Sequence, residues 1–173
     1  GDYALLKTLS EQNDFTVTEA VTILKDQSRV SSTRIRTALQ AGDLAQAKIL
    51  LGHSYVMQGR ITHGDKIGRT LGFPTANIQV QRKKVALQGV FAVKVHGLDR
   101  IYCGAANLGT RPAVGGTKII LEVHLFDFDQ TVYGKLVEVE FCHRLRDEVH
   151  YTNLDALKVQ IAQDVLQAKQ FFE

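Results

Sequence analysis

The segment THGDKIGRTLGFPTAN, residues 62–77, joins a flexible backbone to two side chains that offer oxygen ligands. Its glycines permit sharp turns and can present backbone N–H groups to an anion; they are Gly64, Gly68 and Gly72. Thr75 carries a hydroxyl oxygen and Asn77 an amide oxygen, and residues two apart in an extended segment face the same side. Such hard oxygen ligands suit Mg²⁺ and the phosphates that share it. The segment is not a P-loop, because no G-K-[ST] follows, and it is not a dinucleotide-binding motif, because no helix follows. The alternative interpretation is an ordinary barrel corner.

A carboxylate with a possible role in proton transfer lies in IILEVHL, residues 119–125. Strand alternation places Leu121 and Val123 on one face and Glu122 on the other. If the apolar face fills a barrel, Glu122 points outward, where most glutamates are simply solvated. A covered carboxylate beside a metal-bound phosphate would instead accept the proton of an attacking hydroxyl.

The glycine-rich segment NLGTRPAVGG, residues 107–116, contains Arg111 beside one of the two prolines of the chain. An arginine in such a loop is suited to binding phosphate. Turn formation explains the same composition, so both interpretations stay open.

The segment HRLRDEVHYTN, residues 143–153, places charged and aromatic side chains close together. Arg146 is suited either to clamp a phosphate or to pair with Asp147 or Glu148. The rings that could stack on a planar ligand belong to His150 and Tyr151. A charged connection between a strand and a helix is the alternative interpretation.

The elements that would hold these residues are predominantly strands. Most of the 14 glycines lie between Gly59 and Gly116, and from about Ser54 the apolar runs are short and alternating. In KLVEVEF, Val137, Val139 and Phe141 oppose the polar set that contains Glu138. About six such strands with glycine-bearing connections predict an antiparallel, closed or nearly closed barrel.

A helix is predicted at the C-terminus, capped by Thr152 or Asn153 and packed on the outside of the barrel. Its apolar stripe consists of Leu154, Leu157, Ile161, Val165, Ala168 and Phe172.

Residues 1–52 are predicted to be mostly helical. Ser31 or Ser32 would cap one short helix that stops at Gly42, and Asp43 would cap a second that ends at Gly52. The segment FTVTEAVTIL before them favours a strand. Large apolar residues are too few here for a separate core, so we expect this segment to be the tail of a larger domain.

Composition narrows the possible partners. The chain is 45% hydrophobic and 23% charged, with a net charge of +3, which suits small anions such as nucleotides. The sequence shows no apolar run long enough to span a membrane and no signal peptide. The glutamates on the strand faces have the wrong charge for binding the phosphate backbone of a nucleic acid. The six histidines show no metal-ligand spacing, and the two cysteines, Cys103 and Cys142, are expected to be buried free thiols in a reducing cytoplasm.

Taken in order, these motifs resemble the riboflavin kinase module of bacterial bifunctional FAD synthetases. The resemblance runs from about residue 28 to the C-terminus, and it is carried by GFPTAN, by a mid-strand glutamate some 45 residues later, and by YGK and LRDE. It implies a six-stranded Greek-key barrel with a C-terminal helix, and an enzyme that phosphorylates riboflavin with ATP and Mg²⁺ to give FMN and ADP. A flavin-binding barrel without catalysis is the alternative function.

The resemblance also implies roles for individual residues. Glu122 would be the catalytic base, and Thr75 and Asn77 would hold Mg²⁺ and the ATP phosphates. The nucleotide-binding set would be Gly64, Lys66, Gly68, Arg69, Thr75, Asn77 and Asn107. The flavin-binding set would be Arg146, Glu148, His150 and Tyr151.

The family threonine after the RP dipeptide is replaced by Ala113, which therefore receives no role. SSTRIR resembles a late nucleotide-contacting motif of the adenylyltransferase module, so residues 1–52 would be a remnant of that module and residues 53–173 the kinase barrel. We expect this chain to form FMN without converting it to FAD. The resemblance names no partner protein.

Overall fold

A computed structural model describes residues 2–64, 67–82, 84–113 and 116–173. It divides the chain into two compact units, residues 1–31 and 32–173. The second unit therefore contains the barrel together with the two helices that precede it.

The first unit consists of one helix and one short hairpin. Helix α1 spans Tyr3–Gln12 and is capped by Asp2, whose carboxylate accepts a hydrogen bond from the Leu5 N–H at 2.9 Å. Strands β1 (Leu24–Lys25) and β2 (Ser28–Arg29) pair through a turn with two residues at positive φ. The strand favoured within FTVTEAVTIL is absent from residues 15–23, and none of the described residues 2–31 is buried.

Helices α2 (Ser32–Ala41) and α3 (Leu44–Leu51) pack against each other, and α3 also contacts the barrel. The predicted cap of α3 is confirmed, because the Asp43 carboxylate accepts from the Gln46 N–H at 2.8 Å. Gly42 and Gly52 have φ values of +73° and +80°, the left-handed conformation that favours glycine at a helix end.

The predicted closed six-stranded antiparallel barrel is confirmed. Around the ring the strand order is β3, β4, β7, β6, β5 and β8, and β8 closes against β3. The strands are β3 (Val56–Thr62), β4 (Ala76–Val80), β5 (Gly89–His96), β6 (Tyr102–Ala113), β7 (Gly116–Leu125) and β8 (Leu136–Arg146). A short helix, α4 (Ile67–Thr70), lies between β3 and β4. The connection from β4 to β5 skips two strands of the ring, which is the Greek-key feature that the resemblance implies.

Strand alternation determines what fills the barrel. On β7, Leu121 and Val123 are buried while Glu122 is only half-buried on the opposite face, and the same alternation holds on β8. The largest fully buried side chains are Phe91, Met57, Ile61, Leu87, Leu108, Leu121, Val93, Val95, Val123, Val137 and Val139. Removal of this apolar surface from water is the main source of stability for such a core.

The predicted C-terminal helix, α5 (Leu154–Phe172), packs on the outside of β5, β6 and β8. Asn153 caps it by accepting from the Asp155 N–H at 2.8 Å. Small residues allow the close approach, since Ala168 of the helix meets Ala92 and Ala105 of the barrel. The apolar stripe is shorter than predicted, because Leu154 is 62% exposed at the first turn.

Both cysteines are free thiols, and each is half-buried rather than fully buried. Burial raises the pKa of Cys142 to about 11, so its thiol is protonated and unreactive near neutral pH. Among the described helices, none combines the length and apolar character needed to cross a bilayer.

Two glycine substitutions separate conformational strain from steric overlap. A Cβ on Gly52 would have no atom within 4 Å, so Gly52→Ala tests the left-handed backbone alone. A Cβ on Gly42 would overlap the side chain of Arg144 as well. We expect Gly52→Ala to cost about 1 kcal/mol of unfolding free energy, and Gly42→Ala about 1–3 kcal/mol more. Urea unfolding followed by circular dichroism measures both. Equal losses of unfolding free energy would show that the Arg144 side chain moves aside without cost.

Candidate active site

Three predicted site residues lie side by side across neighbouring strands. Asn77 of β4 is directly opposite Glu122 of β7, and Glu122 is directly opposite Asn107 of β6. Residues opposite each other on adjacent strands share a face, with Cβ atoms about 5 Å apart. We call Asn77, Glu122 and Asn107 the three-strand row.

The three-strand row faces the outside of the barrel. Its sequence neighbours Ile78, Leu121 and Leu108 are all buried in the core, so the row itself must point the other way. Its three side chains are nevertheless half-buried rather than exposed. Glu122 is therefore outward, as alternation predicted, and it is also partly covered.

Part of this cover is the glycine-rich loop. A Cβ on Gly64 would overlap the side-chain amide of Asn77, so the loop backbone lies directly on the row. A Cβ on Gly68 would come within 3.3 Å of the Thr75 hydroxyl oxygen. Gly64 and Gly68 thus permit a close approach that a larger residue would prevent. Lys66 lies outside the described residues, and Arg69 is exposed on α4.

The loop is fixed to β7 on its other side. His124 donates from Nδ1 to the Pro74 carbonyl at 2.9 Å, and its ring meets Phe73 edge to face at 5.6 Å. His124 follows Glu122 by two residues and shares its face of the strand. The chain is therefore fixed just before β4 begins, and on that strand Asn77 lies opposite Glu122.

Asn107 has a hydrogen-bonding atom without a partner. Its Nδ2 donates to Glu148 Oε1 at 3.4 Å, while its Oδ1 is buried with no hydrogen bond among the described residues. Buried acceptors are rarely left unsatisfied in native proteins. Asn107, directly opposite Glu122, is therefore the member of the row whose side-chain oxygen has unused hydrogen-bonding capacity.

Arg146 does not extend into this site as a free clamp. Its Nε and Nη2 donate to the two oxygens of Asp164, each at 2.8 Å, and its Nη1 donates to the Asp147 carbonyl at 2.8 Å. The hydrogen bond to Asp164 raises the pKa of Arg146. Of the protein partners, Arg146 therefore pairs with a carboxylate on α5 and not with the predicted side chain of Asp147 or Glu148, while its predicted contact with a ligand stays a prediction. Asp147 pairs instead with Arg144.

Comparison with known proteins decides the family. The riboflavin kinase family profile matches residues 51–172. This chain belongs to the riboflavin kinase family. It is 49% identical over 173 residues to a bifunctional riboflavin kinase/FMN adenylyltransferase of Haemophilus influenzae, and 43% identical over the same length to that of Escherichia coli K12. Each alignment covers 99% of this chain but 56% and 55% of the relative, so the chain spans about half their length.

A solved structure gives the same architecture. A protein from Streptococcus pneumoniae, named as a macrolide-efflux protein, aligns with a TM-score of 0.74 and 32% identity. The alignment covers 91% of this chain and 52% of that chain. The name belongs to that protein, and the likeness supports the shared fold. Membership of the riboflavin kinase family, shown by the match over the barrel and α5, makes the present chain an enzyme, a kinase.

The other residues predicted on the flavin side of this kinase are only partly brought together. Glu148 lies against Asn107, and the Tyr151 ring lies 6.0 Å from the Arg146 guanidinium. His150 is exposed. Arg111, considered above as a phosphate ligand, is exposed near the described end of β6.

Two side-chain arrangements were not predicted from the sequence. Asp164 was not predicted to have a role, although it stands three residues after Ile161 and four before Ala168, within the apolar stripe. An acidic residue at such a position indicates a buried partner. The rings of His63 and Tyr133 stack at the start of the glycine-rich loop, with their centroids 3.7 Å apart. This contact could not be predicted, because 70 residues separate the two in the chain.

Two open depressions lie away from the three-strand row. One, of about 320 Å³, lies between the Arg100–Cys103 segment and the end of α5, including Lys169 and Phe172. The other, of about 360 Å³, follows α2 and α3 and includes Thr33 and Arg34 of the SSTRIR motif. Neither is lined by Asn77, Glu122 or Asn107.

Proposed function

We propose that this chain transfers the γ-phosphoryl group of ATP to the terminal ribityl hydroxyl of riboflavin at the three-strand row. The observation that carries the proposal is the alignment of Asn77, Glu122 and Asn107 beneath a glycine-rich loop. A proton acceptor, oxygen ligands and loop amides then meet at one place. Phosphoryl transfer depends mainly on such positioning and on charge neutralisation.

Glu122 is the proposed general base. The ribityl hydroxyl gives its proton to the Glu122 carboxylate while its oxygen attacks the γ-phosphorus in line, and the bond to the bridging oxygen breaks to release ADP. Partial burial keeps the carboxylate from being fully solvated. Asn107, directly opposite Glu122, adds a second amide side chain to the row beside the proposed base.

Thr75 and Asn77 would hold Mg²⁺ together with the phosphates. Their hydroxyl and amide oxygens fit this hard cation, and the loop glycines bring the backbone close to both side chains. Bound Mg²⁺ would supply neutralisation of the charge that develops on the phosphate oxygens. Gly64 and Gly68 would let loop N–H groups approach the same phosphates.

The names of the bacterial relatives also include FMN adenylyltransferase. We propose that residues 1–52 correspond to the end of that module and that residues 53–173 act as the kinase. The compact unit that contains the barrel begins earlier, at Ser32, because α3 contacts the barrel. The proposed functional boundary lies after α3. Two free cysteines agree with a proposed cytoplasmic location.

An incubation of the chain with riboflavin, ATP and Mg²⁺, followed by chromatographic separation of flavins, tests the proposal. FMN formation that requires Mg²⁺ supports it, and FAD in addition would reveal adenylylation by this chain. Riboflavin binding that is indifferent to Mg·ATP, with no FMN formed, would favour a flavin carrier instead.

The first variant tests the proton acceptor. Glu122→Gln keeps the shape of the side chain but removes the base, so turnover should fall by about 10²–10⁴-fold with the fold intact. Glu138→Gln is the matched control, because Glu138 is another half-buried outward glutamate and lies on β8. Steady-state kinetics and circular dichroism measure the two effects. Near-normal turnover of Glu122→Gln would remove the residue from this role.

The second variant tests the Mg·ATP side. Asn77→Ala removes the amide oxygen, and we expect weaker Mg·ATP binding with little change in riboflavin binding. Gln79→Ala is the control, because Gln79 lies two residues further along the same face of β4 and is exposed. Titration calorimetry with each ligand separates the affinities. Equal losses for both ligands would count against the placement of Asn77.

A further inference from the structure

Asp164 is a buried acidic residue on the outer helix. It is 4% exposed and is the sole charged residue in the buried class among the described residues. Its helix α5 packs through small and apolar side chains, including Ala168 and Val165. A carboxylate in such surroundings is unfavourable unless it is paired and hydrogen-bonded.

Its partner is Arg146, the last residue of β8. The two side chains form a two-point pair with both N–O distances at 2.8 Å, and Gln160 donates a further bond to Asp164 Oδ1 at 3.0 Å. Such planar pairing fixes the orientation of the guanidinium as well as its position. With that orientation fixed, Nη1 of Arg146 donates to the Asp147 carbonyl at 2.8 Å.

The Asp147 carbonyl is the first peptide group of the segment 147–151, which includes the predicted flavin-binding Glu148. The Glu148 carboxylate accepts a bond from Asn107 Nδ2 at 3.4 Å, and a Cβ on Gly109 would overlap it. Asn107 in turn lies directly opposite Glu122. A continuous series of contacts therefore leads from α5 to the residue beside the proposed base.

We propose that Asp164 is a positioning residue for the flavin side of the site, acting through Arg146 to hold segment 147–151 against β6. In this role Asp164 would touch neither substrate nor reacting atoms, because its hydrogen bonds go to Arg146 and Gln160. The inference deepens the proposed function and rests on it for the identity of the ligand. It also assigns Arg146 to loop placement rather than to contact with a phosphate.

Asp164→Asn is the first test, since it retains the shape and removes the charge that orients Arg146. We expect the KM for riboflavin to rise at least about 10-fold, with the KM for Mg·ATP within about twofold of wild type. Riboflavin binding without ATP, followed by flavin fluorescence, should weaken by a similar factor. Asp155→Asn is the matched control, because Asp155 is an exposed acidic residue on the same helix.

A second pair of variants keeps the inference testable if Asp164→Asn folds poorly. Arg146→Met combined with Asp164→Leu replaces the ion pair by apolar side chains, which restores stability in other buried pairs. The folded double variant should still show the selective rise for riboflavin. Gly109→Ala displaces Glu148 without touching α5, and it should produce the same selectivity.

The outcomes are distinct. A lower Tm with unchanged KM values in Asp164→Asn, or an equal rise in both KM values, would overturn the positioning role and leave Asp164 with a purely structural one. Wild-type protein that binds riboflavin without forming FMN would contradict the proposed function, while the fluorescence titration would still test the positioning of the flavin side.

Discussion

Closure of the barrel is the constraint on which the site depends. Once β8 pairs with β3, each strand has two neighbours, and its register cannot shift without moving apolar side chains out of the core. A slip of one residue on β7 would bury Glu122 and expose Leu121, at the cost of a buried carboxylate and an exposed core residue. The core therefore fixes the outward residues as firmly as the inward ones. The three-strand row is held in place by packing on the far side of the sheet.

This constraint explains which features could be predicted from sequence. Alternation on β7 and β8 depends only on neighbouring residues, so the outward position of Glu122 followed directly from it. The cap of α3 by Asp43 and its end at Gly52 are equally local. Cross-strand neighbours are different, because the pairing of Asn77 with Glu122 joins segments 45 residues apart. The resemblance to riboflavin kinases placed these residues in one site, but only the register shows that they are adjacent.

The partner of Arg146 could not be predicted, because it is also distant in the sequence. Local reasoning offered Asp147 and Glu148, which are next to it in the chain, whereas the carboxylate that binds it lies on α5. The glycines show a related limit. Gly52 is needed for its backbone conformation and Gly64 for the space that Asn77 occupies. Both are simply glycine in the sequence. Only the surroundings distinguish these two physical reasons.

In the role proposed for the Arg146–Asp164 pair, an outer helix serves an active site that it does not line. A buried ion pair contributes little net stability, because the loss of hydration offsets most of the attraction between the charges. Its geometric effect is larger, since a two-point pair permits few orientations of the guanidinium. Arg146 converts this orientation into a bond to the Asp147 carbonyl, at the place where β8 ends and the chain turns toward α5. A barrel fixes its strands through the core but leaves the segments beyond the strand ends free, so a segment that must approach Asn107 needs a separate anchor. The helix supplies that anchor from the one buried carboxylate among the described residues.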